Sequence, residues 1–155
     1  MTEIEASAKI DRPAGEVFDY VSDMSNNPQW QKGQKSCEWT SEPPIAIGST
    51  YDQVAVFAGQ KLLTSFEVAE FEPGERIRIV STSGSMPIDV TRVVTPTSDS
   101  SCEVTVLVKG EPPKQMRMLG WLVDRLVKRN INADYVQLKT VLEAHQPPPP
   151  QPAPE

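Results

Sequence analysis

The chain has 155 residues, 38% of them hydrophobic and 23% charged, which fits one domain with room for a core. A net charge of −6 argues against a nucleic-acid partner, which rewards basic surfaces. No apolar run reaches the roughly 18 residues of a membrane span, and MTEIEASAKIDRP lacks the basic-then-apolar order of a signal peptide.

Residues 3–10, EIEASAKI, alternate and read as a strand. Asp11-Arg12-Pro13 ends it, and Pro13 is placed at the first position of a short helix. Ala14, Val17, Phe18 and Val21 give that helix its apolar face. Ser25-Asn26-Asn27-Pro28 is expected to break it, followed by a turn or short helix that carries Trp30. Strands then recur near 34–41, 49–58, 61–71, 75–83, 87–95 and 101–109, punctuated by Pro, Gly and Ser clusters. Connections this short favour antiparallel hairpin neighbours.

Cys37 and Cys102 fall in separate expected strands. Their spacing suits neither a disulfide framework nor a zinc site. They are expected as buried free thiols in a reducing, cytoplasmic setting.

Residues 112–144 read as one helix of about 30 residues, about 45 Å long at 1.5 Å per residue. With Leu119 as the centre, Met116, Leu122, Val123, Leu126, Val127, Ala133, Leu138 and Val141 form one broad apolar face. Asn130, Asp134 and Gln137 interrupt it. They either pair locally or face a wet or ligand-filled cavity. The sheet needs a cover for its apolar face, and this helix is the only large candidate. Phe66, Val68, Ile77, Ile79, Leu126 and Leu138 are the expected core between them.

The start of the helix is basic, with Lys114, Arg117, Arg125, Lys128 and Arg129 near Met118 and Trp121. This suits transient contact with an anionic membrane surface, or an ordinary solvated face. Gly120 is a weak helix former, so 114–122 could serve as a yielding lip over a cavity. Residues 1–145 form the expected domain. The tail from Gln146, QPPPPQPAPE, favours extended polyproline geometry and is expected to be disordered.

Four passages resemble a known group: IDRPAGEVFDYVSDMSNNPQW, IGSTYDQVAVFAG, SFEVAEFEPGERIRIVS and the helix ending NADYVQLKTVLEA. The chain is similar to the START-like superfamily of helix-grip domains, in its polyketide cyclase/dehydrase-like (SRPBCC) branch. That resemblance implies an α+β fold: a seven-stranded curved antiparallel sheet wrapped around a long C-terminal helix, with two short helices between strands 1 and 2. It also implies a cavity for a lipophilic molecule. Members include lipid carriers, hormone receptors and cyclases, so the fold does not settle the activity.

Strand alternation assigns residues to the cavity. Tyr51, Phe57, Phe66, Ile79 and Val90 are the expected ligand-binding residues from the sheet. Arg92 falls among the inward set of its strand and needs a partner if buried. Asp134, Glu38 and Asp89 are possible partners, and the alternative is that Arg92 sits at the rim. Asn130 and Asp134 are the expected polar anchors on the helix.

The only histidine, His145, adjoins the tail, which leaves no histidine base or metal cluster. No phosphate-cradling glycine motif is present, and no cofactor is called for. Catalysis would fall to Tyr51, Asp89, Arg92, Asn130 and Asp134. Two functions follow: binding or carriage of a small hydrophobic metabolite, lipid or polyketide-like, or an enzyme of the cyclase, aromatase or dehydratase kind.

Overall fold

A computed structural model describes residues 2–57, 59–84, 87–111 and 120–144. The side chain of Phe57 lies outside the described residues, as do 112–119, which hold most of the expected lip, and the proline tail.

The strands are β1 (Thr2–Ile10), β2 (Gln34–Trp39), β3 (Thr50–Phe57), β4 (Gln60–Glu72), β5 (Arg76–Ser83), β6 (Ile88–Ser98) and β7 (Ser101–Gly110). They form one seven-stranded antiparallel sheet in the order β1-β7-β6-β5-β4-β3-β2. Between β1 and β2 lie α1 (Ala14–Ser22) and a 3-10 helix (Met24–Gln29). The chain closes with α2 (Gly120–Ala144). The fold is the α+β helix-grip arrangement that the resemblance implied.

Alternation in the strands reads through to burial. Phe66 and Val68 on β4, Ile77 and Ile79 on β5, Val94 on β6 and Cys102, Val104 and Val106 on β7 are all buried. They pack with Val17, Phe18 and Val21 of α1 in one apolar cluster. The register of β4 against β5 shifts between Val68 and Glu70. An extra residue of this kind bends a strand and increases its twist, which helps the sheet curl around its helix.

Two local expectations are corrected. The first helix ends as expected, but at Ser22 and extended Asp23, and Ser25-Asn26-Asn27-Pro28 forms the 3-10 helix that follows rather than the break itself. Asp23 caps it, its carboxylate accepting from the Ser25 N–H at 3.1 Å and from Trp39 Nε1 at 2.8 Å. Pro13 precedes α1 as its cap rather than opening it; its ψ of 141° is not helical.

The larger correction concerns α2. Leu126 is 44% exposed and Leu122 is also exposed, whereas Leu138 is fully buried. The gripping stripe is Ile131, Tyr135, Leu138 and Leu142, spaced i, i+4, i+7, i+11. Leu138 lies about 100° round the helix from Leu119 at about 100° per residue. The apolar face centred on Leu119 was therefore offset from the face that packs.

The C-terminal end of α2 is tied to the end of β1. Lys139 Nζ donates to the Lys9 carbonyl at 2.8 Å and to Glu143 Oε2 at 2.7 Å, and the Asp11 N–H donates to that same carboxylate at 3.0 Å. Among the described residues, no helix is long and apolar enough to cross a membrane.

Candidate functional site

The N-terminal half of α2 does not pack down on the sheet. Between them lies a cavity of about 1130 Å³. Its sheet wall includes Leu62, Thr64 and Phe66 of β4, Ile79 of β5, Val90 of β6 and Val106 of β7. Its helix wall includes Val123, Leu126, Val127 and Ile131. This position explains why Leu126 is apolar yet exposed: it faces a void rather than a neighbour.

Six of the eight expected ligand-binding residues line this space: Phe66, Ile79, Val90, Arg92, Asn130 and Asp134. Tyr51 does not. It is fully buried, stacked on Phe66 with ring centroids 5.1 Å apart and against Trp39 at 5.2 Å. It lies beside Phe66 on the same face of the sheet, in the packed core next to the cavity. Phe57, the eighth, ends β3 with its side chain among those not described.

Arg92 is the polar residue that stands out on the sheet wall. It is only 3% exposed, so the rim position is excluded. Its partners are not the carboxylates expected. Nη1 donates to the Val21 carbonyl at 2.8 Å and to Asn27 Oδ1 at 3.1 Å, and meets Met24 Sδ at 3.4 Å. Its guanidinium carbon lies 4.9 Å from the Trp30 ring centre, a cation–π contact. Asp89 instead pairs with Arg78 on the other face, at 2.7 and 3.0 Å. The Val21 carbonyl belongs to the last turn of α1. The helix dipole puts partial negative charge there, which favours a cation.

Trp30 joins the sheet to the helix. Its ring meets Tyr135 of α2 edge-on with centroids 5.0 Å apart. Trp30 Nε1, Tyr135 OH and Arg92 Nε are all buried without a hydrogen-bond partner. Burial raises the pKa of Tyr135, and the Arg92 guanidinium beside it, by its charge and as a hydrogen-bond donor, offsets part of that rise.

Asp134 stands half-buried on the helix wall and accepts from the backbone N–H of Lys32 at 3.2 Å. Burial holds its carboxyl above the ordinary aspartate range; the Lys32 N–H and the Arg92 charge pull the other way. Asn130 is exposed at the cavity wall. Among the described residues, no group of His, Cys, Asp and Glu could hold a metal ion.

Trp30 and Tyr135 were not among the site residues read from the sequence. Tyr135 carried a usable signal: it sits at i+4 from Ile131 and i−3 from Leu138 on one helix face. Trp30 carried none beyond its size, since its place depends on how the 3-10 helix turns back over the sheet.

Residues 1–143 match a family model described as polyketide cyclase / dehydrase and lipid transport. No curated protein matches the chain in sequence. Among solved structures, a protein from Thermus thermophilus is 23% identical, with a TM-score of 0.79 over 93% of this chain and 99% of that one. The Zhui aromatase/cyclase from Streptomyces is 12% identical, with a TM-score of 0.74 over 91% and 93%. A START superfamily protein from Mycobacterium smegmatis is 17% identical, with a TM-score of 0.69 over 93% and 96%. These likenesses establish a shared fold.

Proposed function

The chain belongs to the polyketide cyclase / dehydrase and lipid transport family, and from that premise we propose that it binds or carries a small hydrophobic metabolite, lipid or polyketide-like, between sheet and α2. The observation that carries this reading is the cavity of about 1130 Å³, whose surface is mainly apolar, with polar side chains such as Arg92, Asn130 and Asp134 set among aliphatic ones. Small-molecule sites have this character: concave, apolar, about 300–1,000 Å³, with a few polar groups that fix orientation. Phe66, Ile79 and Val90 supply apolar contact in this reading, and Arg92, Asn130 and Asp134 orient the ligand.

Two measurements test it. Organic extraction of the purified protein followed by mass spectrometry should recover a lipophilic molecule. The stripped protein should bind the neutral dye N-phenyl-1-naphthylamine, and Val90→Trp, which fills the cavity from its sheet wall, should abolish that binding. Dye binding that is absent, or unchanged in the Val90 variant, overturns the reading.

One observation favours a second reading, an enzyme of the cyclase or dehydratase kind. Asp134 places a carboxyl in the cavity wall and burial raises its pKa, the direction that favours its protonated form and proton donation to a bound carbonyl compound. Turnover of a poly-β-ketone mimic that is lost in Asp134→Asn, with binding retained, would favour the enzyme. Binding of the mimic without turnover by the wild-type protein would leave the carrier.

A further inference from the structure

We propose that the ligand carries a carboxylate, seated against Arg92, Tyr135 and Trp30 with its apolar body extending toward the cavity mouth. This rests on the binding reading above and names the chemistry of the ligand's polar end.

The argument begins with what the guanidinium lacks. A buried charge is costly unless paired, and among the described residues no carboxylate pairs with Arg92. Nη1 is occupied by Val21, Asn27 and Met24. Nε has no partner, and the bonds to Val21, Asn27 and Met24 do not use Nη2, which leaves it to the neighbouring Tyr135 side. The Nε–Nη2 edge is one of the two sides from which a guanidinium grips a carboxylate with parallel hydrogen bonds. The protein holds Arg92 by Nη1 and leaves Nε, on that edge, without a partner.

The neighbouring unpartnered atoms point the same way. Tyr135 OH and Trp30 Nε1 are hydrogen-bond donors, buried on the cavity wall. An ionised carboxylate is acceptor-only, with room for about four donors. It complements this set; an alcohol or amine would bring surplus protons to it. Among the described residues, Gln31 Oε1 is a buried unpartnered acceptor on the wall, and its amide presents N–H instead when the end group flips. Asp134 also lines the cavity, but its carboxylate is engaged by the Lys32 N–H at 3.2 Å.

Dodecanoate and 1-dodecanol share a chain and differ at the head, so they separate this proposal from the cavity reading. Displacement of N-phenyl-1-naphthylamine should need about tenfold less dodecanoate than dodecanol, the ratio that one charged hydrogen bond supplies. Tyr135→Phe should reduce that preference several-fold without changing the dodecanol titration. Arg92→Gln should erase it, but this change also frees the Val21 carbonyl and can disturb folding. A measurement on the wild-type protein therefore accompanies it. With dodecanoate labelled with 13C at C2 or at the terminal methyl, nuclear Overhauser contacts to the Trp30 and Tyr135 ring protons should come from C2. Equal displacement by the two probes, or ring contacts from the terminal methyl, overturns the carboxylate seat while the cavity reading stands. If neither the probes nor the dye binds, both fall together.

Discussion

Arg92 and Trp30 stack, the guanidinium carbon 4.9 Å from the ring centre, and this contact joins three parts of the chain. Arg92 comes from β6, Trp30 from the end of the 3-10 helix, and the far edge of Trp30 meets Tyr135 on α2. The sheet, the helical corner and the gripping helix therefore share one junction, at the point where the cavity becomes packed core.

Trp30→Ala should destabilise the protein by about 3–5 kcal/mol, the usual cost of deleting a large buried aromatic. Its side chain is 2% exposed, and its loss removes partners from Arg92 and Tyr135 together. Urea denaturation would measure this. A change under about 0.5 kcal/mol, the range of surface sites, would mean that the junction does not pack.

The two faces of α2 make opposite predictions for one substitution. Leu138→Ala should cost about 2–5 kcal/mol as a cavity in packed core. Leu126→Ala should stay within about 0.5 kcal/mol, because Leu126 is 44% exposed and faces the void. The same change should weaken N-phenyl-1-naphthylamine binding, since Leu126 lines the cavity. Equal destabilisation by the two variants would mean that the helix packs on both faces.

That contrast also marks how far the sequence could be read. Strand faces were legible because a period of two leaves a sheet residue only two choices, and Phe66, Val68, Ile77 and Ile79 fell on the buried side as expected. The helix was harder. In a protein with a cavity, apolar side chains serve both the sheet and the void, so periodicity reports apolarity rather than packing. Leu122 and Leu126 drew the expected face away from Ile131, Tyr135, Leu138 and Leu142. Arg92 was visible as an inward cation, but its partners are a carbonyl, an amide and a thioether about 65–71 positions away. Matching of opposite charges could not find them.

Both cysteines should resist alkylation in the folded protein. Each is buried and free, and burial pushes the Cys37 thiol up to about 11, with Asn27 and Arg92 offsetting part of the effect. The reactive form is the thiolate, so iodoacetamide at pH 8 should label neither residue until urea is added. Prompt labelling of Cys37 in the native protein would show that the pocket side of β2 opens readily.

The outer face of the sheet carries an ion pair that acid should weaken. Arg78 grips Asp89 through Nε and Nη2 at 3.0 and 2.7 Å and reaches Glu70 at 3.4 Å. The hydrogen bond from Arg78 holds the Asp89 carboxyl below the ordinary aspartate range. A pKa depressed by folding contributes stability above the unfolded value and loses it as the pH falls through the folded one. Arg78 is more than a third exposed, so screening limits the pair to about 0.2–1 kcal/mol. Asp89→Asn should therefore lower stability by that amount at pH 7. The gap from wild type should close as the pH drops below about 4, where an unpaired aspartate gains its proton. Urea midpoints of the two proteins at pH 7 and at acid pH measure the gap directly, and a gap that widened in acid would mean that the variant acts through something other than this ion pair.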